Sequence, residues 1–143
     1  MVNTSILHGV ATISYFADDM AAARKWYTAL LGVDPYFQRP DAVNPAYIEY
    51  RFGDYQIELG IIDKRYAPKG AANGTGGAVI YWHVEDVPAA VQKLLAMGAT
   101  ELEPVTPMEA GFIRAAVVDP FGNIIGLMYN PHYKEIRASL GNV

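Results

Sequence analysis

The sequence predicts an α+β fold built from two copies of one unit, and three observations carry that reading. Thr12-Ile-Ser-Tyr-Phe-Ala-Asp-Asp-Met20 is echoed 67 residues later by Val79-Ile-Tyr-Trp-His-Val-Glu-Asp-Val87. In both copies a strand-like apolar run ends in an acidic pair placed to cap a helix, and that helix stops at a glycine. Three further strand-like runs follow each helix, so both halves read strand, helix, strand, strand, strand.

The elements are justified in chain order. After Asp18-Asp19, residues Ala23, Trp26, Tyr27 and Leu30 recur at helical spacing, and Gly32 stands where a left-handed cap belongs. Strands are expected over 36–38, 46–52 and 55–61. After Glu85-Asp86, residues Val87, Val91, Leu94 and Leu95 repeat the pattern, Pro88 is tolerated in the first turn, and Gly98 ends the helix. Strands are expected again over 101–104, 112–118 and 124–130. Residues 1–143 thus form one domain. A first module covers about 6–62, a glycine-rich linker 66–77, a second module about 78–131 and a tail 132–143, with a short helix through Tyr133 to Leu140.

Bulk composition narrows the function classes. A formal charge of −4 and no basic run longer than Arg24-Lys25 or Lys64-Arg65 argue against nucleic acid or an anionic membrane as partner. Cysteine is absent, which excludes disulfides, thiolate catalysis and cysteine-held metals. No stretch approaches the length of a membrane span and the start lacks a signal-peptide pattern, so a cytoplasmic protein is expected.

Strand alternation raises the question of Glu58, a carboxylate in Gly53-Asp-Tyr-Gln-Ile-Glu-Leu59, where a buried charge needs a partner. With Gly53-Asp54 as a two-residue turn, Arg51 opposes Gln56 and Glu49 opposes Glu58. One face then carries Ile48, Tyr50, Phe52, Tyr55, Ile57 and Leu59; the other carries Tyr47, Glu49, Arg51, Gln56 and Glu58. In the second module the loop Asp119-Pro-Phe-Gly-Asn123 sets Val118 against Ile124, Ala116 against Gly126 and Arg114 against Met128. Ala116 and Gly126 leave room that Phe112, Arg114 and Met128 line, or Gly126 marks a bulge or a tight helix contact.

The duplicated units, with Asp19…Trp26-Tyr27…Leu31-Gly32 in the first and Val118-Asp119-Pro120-Phe121-Gly122-Asn123 in the second, resemble the vicinal oxygen chelate superfamily of glyoxalase I, bleomycin resistance proteins and extradiol dioxygenases. The resemblance spans roughly residues 6 to 131 and implies a curved eight-stranded mixed sheet around a cleft, usually in a homodimer. It also implies four metal-ligand positions, here Thr12, Val79, Glu58 and Gly126. One of the four is a ligand, too few for zinc, iron or nickel, so no metal or other cofactor is expected unless a divalent site has moved.

The resemblance further implies opening strands that meet antiparallel about a two-fold, opposing Thr12 to Val79, Val10 to Tyr81 and His8 to His83. Two readings of the histidines stand: a pair across the cleft, or one exposed and the other packed. Trp82 belongs to the core, while Tyr81 faces the cleft. The expected function is metal-independent binding of a small, partly aromatic or oxygen-rich molecule beside Glu58, contacted by Thr12, Glu49, Arg51, Tyr81, His83, Phe112, Arg114 and Met128. The alternative is a lyase or isomerase using Glu58 as general base, or a relocated divalent metal. Glu58 itself is read as paired with Arg51 or Arg114, as a metal-site remnant, or as a ligand-facing base.

Overall fold

A computed structural model describes residues 5–71 and 74–141. Parts of the readings of the start (residues 1–4), the linker (72 and 73) and the tail (142 and 143) lie outside the described residues.

Both modules fold as the repeat dictates. Strand β1 (Thr12–Ala17) leads into α1 (Met20–Leu31), then β2 (Phe37–Arg39), β3 (Tyr47–Phe52) and β4 (Ile57–Asp63). The second module repeats this with β5 (Tyr81–His83), α2 (Val87–Ala96), β6 (Thr100–Pro107), β7 (Ile113–Val118) and β8 (Ile124–Tyr129), followed by α3 (Pro131–Ser139). Asp19 accepts the Ala22 amide and Asp86 the Ala89 amide, both at 3.0 Å, capping the two helices. Gly32 closes α1 at φ +71°, a conformation that only glycine adopts cheaply.

Eight strands are divided between two four-stranded mixed sheets, ordered β1-β4-β3-β2 and β5-β8-β7-β6. Each helix is the crossover that lets the opening strand pair in parallel with the last strand of its module. Apolar side chains of one face of each sheet meet the helices in a single core. Tyr27, Ile48, Tyr50, Leu59 and Ile61 from the first half and Val87 and Val117 from the second are almost fully buried.

The register of β7 and β8 is the expected one, with Val118 opposite Ile124, Ala116 opposite Gly126 and Arg114 opposite Met128. The first hairpin differs by two residues. Its loop is Gly53–Gln56 rather than Gly53-Asp54, Gln56 adopts φ +50°, and both its backbone and side-chain amides bond back to the Gly53 carbonyl. Arg51 therefore opposes Glu58, and Glu49 opposes Gly60. A slip of two preserves the faces, so the predicted sides hold, but Tyr55 leaves the core face for the loop.

The opening strands do not pair with each other: among the described residues β1 bonds only β4 and β5 only β8. The expected opposition of Thr12 to Val79 and Val10 to Tyr81 is absent, and Val10 lies exposed before β1. The halves meet instead through the Asp119–Asn123 loop. The Asn123 carboxamide pairs with both backbone groups of Phe16, accepting its N–H at 3.0 Å and donating to its carbonyl at 2.8 Å, as a neighbouring strand would. Asp119 accepts from the Tyr27 hydroxyl, the Phe121 and Asn123 amides and the Asn123 carboxamide. Trp26 donates to the Met97 carbonyl at 2.7 Å, and Trp82 donates to the Tyr15 hydroxyl at 3.3 Å.

Replacing Asn123 with Ala orphans buried groups on both modules at once. The expected loss is roughly 2–4 kcal/mol, measured as a fall in the urea midpoint with little change in slope.

Candidate functional site

Glu58 is the second residue of β4, with a neighbouring strand on each side, and both strands supply its partners. Across the parallel ladder, Thr12 donates its hydroxyl to Glu58 Oε1 at 3.0 Å. Across the antiparallel ladder, Arg51 places Nε at 3.1 Å and Nη2 at 2.8 Å from Oε2. Arg51 also lies 3.7 Å from Glu49 and stacks its guanidinium 3.8 Å above the Tyr36 ring. Glu49 in turn accepts the Tyr47 hydroxyl at 2.9 Å. Burial, with Glu49 and Glu58 nearby, pushes the Tyr47 phenol up to about 12, so it stays a donor at neutral pH. The structure thus gathers Thr12, Glu49, Arg51 and Glu58 and adds Tyr36 and Tyr47. Tyr47 was legible from its place on the polar face; Tyr36, just before β2, is brought alongside by its amide donating to the Glu49 carbonyl at 2.7 Å.

The second module has a parallel cluster. Tyr81 donates to Glu103 at 3.4 Å, and Arg114 Nε lies 3.5 Å from the same carboxylate without hydrogen-bond geometry. Met128 is opposite Arg114, and Phe112 precedes β7. Glu103 lies within the strand expected over 101–104 but was missed because the register of β6 shifts on both sides of it, so its partner on β7 could not be read by alternation. Among the described residues no hydrogen bond, ion pair or ring contact joins this cluster to the one around Glu58.

His83 is packed and His8 exposed, so the histidine pair does not form. The His83 ring stacks on Tyr133 with centroids 4.6 Å apart, Nδ1 accepts the Asn130 amide, and Nε2 lies 2.6 Å from Glu85. With Nδ1 an acceptor, the ring proton resides on Nε2, directed at Glu85. Helix α3, capped by Asn130, is the element that sequence reasoning left without a role. It fastens the tip of the first hairpin: Tyr133 donates to Asp54 at 2.7 Å and Arg137 at 2.9 Å, while Lys134 reaches Glu85 at 3.1 Å.

A divalent ion does not fit the four family positions. Glu58 is the one carboxylate and its oxygens are already engaged; Thr12 spends its hydroxyl on it. The residue beside Gly126 is Tyr81, because β5 starts two residues later than the repeat suggests, and Val79 lies outside the strand. A Cβ added to Gly126 would fall 2.7 Å from both the Tyr81 ring and the Ile80 carbonyl. The room expected there is therefore filled, and the close contact is with the neighbouring strand rather than with a helix, in a ladder without a bulge. Among the described residues no group of three or more His, Asp or Glu side chains is placed to share an ion.

A cavity of about 440 Å³ lies between the modules. Tyr81, His83 and Met128 line it; Thr12, Glu49, Arg51, Glu58, Phe112 and Arg114 do not. Its first-module wall is the face of the sheet opposite Glu58.

Two outcomes follow from these contacts. With Arg51 and Glu58 side chains 40% and 30% exposed, removing the ion pair by Glu58→Gln should move stability by about 1 kcal/mol or less, read from the urea midpoint. Hydrogen bonds from Tyr133 and Arg137 hold the Asp54 carboxyl below its ordinary value, and His83 and Lys134 do the same for Glu85. A depressed carboxylate stabilises the fold above its unfolded pKa and loses that contribution as pH falls through the folded one. Docking of α3 should therefore be constant from pH 8 to about 5 and loosen below about 4, seen as faster proteolysis of the tail, with Asp54→Asn loosened at every pH.

The chain matches the sequence profile of the Glyoxalase/Bleomycin resistance protein/Dioxygenase superfamily over residues 9–127. No curated protein sequence matches it. Among solved structures it resembles a glyoxalase-related enzyme from Fulvimarina pelagi, at 24% identity and a TM-score of 0.68 over 87% of this chain and 90% of the other. A superfamily member from Sphaerobacter thermophilus aligns at 19% identity and a TM-score of 0.67, covering 88% of this chain and all of that one. A glyoxalase/bleomycin resistance protein from Albidiferax ferrireducens aligns at 21% identity and a TM-score of 0.61, covering 85% and 98%. Duplicated module, strand order and profile agree: the chain belongs to the Glyoxalase/Bleomycin resistance protein/Dioxygenase superfamily.

Proposed function

We propose that this protein binds a small organic molecule without a metal, on the sheet face that carries Glu58, and that it does so as a cytoplasmic homodimer. The observation that supports this most is the engagement of both Glu58 oxygens. A general base needs a carboxylate aimed at the substrate, and a metal ligand needs companions; both Glu58 oxygens are held by Thr12 and Arg51, and the nearby Glu49 carboxylate is itself engaged by Tyr47. The effect of Glu58 is to hold Arg51 flat against Tyr36, with Nη1 uncommitted among the described residues. A fixed guanidinium on an aromatic plane suits a ligand with a carboxylate or vicinal oxygens next to a ring.

The split between clusters supports the homodimer. Each module offers an arginine, a carboxylate and a tyrosine on its own polar face, and no contact within the chain brings the two together. A second copy that sets the Arg114 face of one chain over the Arg51 face of the other encloses a cleft with an arginine on each wall.

Benzoylformate, an aromatic 2-oxo acid, tests the reading by calorimetry. Arg51→Ala should weaken its binding about tenfold or more, as expected for losing a charged hydrogen bond, while chelators leave it unchanged. Elemental analysis that finds a stoichiometric transition metal, lost in Glu58→Gln, would overturn the proposal in favour of a lyase or isomerase.

A further inference from the structure

We infer that the cavity between the modules is a second binding site, distinct from the Glu58 face, that takes a neutral aromatic molecule carrying one hydrogen-bond acceptor. The cavity is a half-open cleft of about 440 Å³, the space of about fifteen waters. It is also the size of pockets that enclose small ligands. Its walls are apolar, with Leu31 at the end of α1 and Phe52, Ile57, Trp82 and Val84 on the core-facing sides of the two sheets each left partly open. An apolar occupant would remove that surface from water, which is the main driving force for filling such a space.

The charge of the occupant is set by what the lining has left to offer. Asp54 is taken by Tyr133 and Arg137, and His83 by Glu85 and the Asn130 amide. The Tyr27 hydroxyl is given to Asp119 and the Tyr81 hydroxyl to Glu103. A charged ligand would enter with no counter-charge to meet it, at a cost that apolar contact does not offset. Tyr15 differs. Its hydroxyl accepts from Trp82 at 3.3 Å, and among the described residues it has no acceptor for its own proton. Burial pushes this phenol up to about 12, so the proton stays in place at neutral pH. Tyr15 is thus a buried donor on the cavity wall, placed to bond a carbonyl or ether oxygen of a ring compound. The rings of Tyr55 and Tyr133, edge-on with centroids 5.6 Å apart, stand on the side where α3 crosses the first hairpin.

Two near-isosteric probes separate the apolar and polar parts of this claim. Titration of the full chain with 2-acetylnaphthalene and 2-isopropylnaphthalene should show saturable binding of both, with about fivefold preference for the ketone, the worth of one neutral hydrogen bond. Tyr15→Phe should abolish that preference while keeping binding of the hydrocarbon. Ile57→Trp, which places an indole in the space, should abolish binding of both; a melting temperature and amide spectrum like those of the parent show that it folds. Intermolecular NOEs from the ketone to the Phe52 and Trp82 rings locate it. No saturable binding of either probe, equal affinity for 2-naphthoate, a ketone preference that survives in Tyr15→Phe, or NOEs confined to Tyr36 and Tyr47 would each overturn the inference.

Discussion

The grip of the Asp119–Asn123 loop on the first module is the constraint on which the rest of the molecule depends. Asn123 supplies β1 with a donor and an acceptor on the edge that β4 leaves free, and Asp119 draws in the Tyr27 hydroxyl from α1. Both residues are buried, so their bonds are made where water cannot substitute for them. One loop thereby joins a strand and a helix of the opposite half. The shared core, the cavity and the separation of the two polar faces all follow from where that loop holds the halves.

That arrangement explains why the chemistry around Glu58 is self-contained. Each module satisfies its own charged residues: Arg51 with Glu58 and Glu49, Arg114 with Glu103. Neither arginine needs the other face for an ion-pair partner, so the faces can stand apart within one chain. The apolar faces cannot, and they are the ones that the intrachain contact buries.

Legibility from sequence divided along the line between local and non-local causes. Helix limits at Asp19, Asp86 and Gly32 were readable because caps and stops act within a few residues. The second hairpin was readable because Asp119-Pro-Phe-Gly-Asn123 leaves one plausible loop. The first was not: Gly53-Asp-Tyr-Gln56 accommodates a turn of two or of four, and a shift of two leaves the apolar alternation intact, so the hydrophobic pattern gave no way to choose between them. That Glu58 pairs with Arg51 survived this, since both lie on the same face under either register. The union of the halves, the docking of α3 and the fate of His83 depend on partners more than 40 residues away, and no local signal announces them.

Gly126 carries a consequence for how this chain can change. The ring of Tyr81 occupies the space above it, as the ring of Tyr47 does above Gly60 in the other half. A chelating side chain at 126 would require residue 81 to shrink as well, so no single substitution at this position can place a donor beside the sheet.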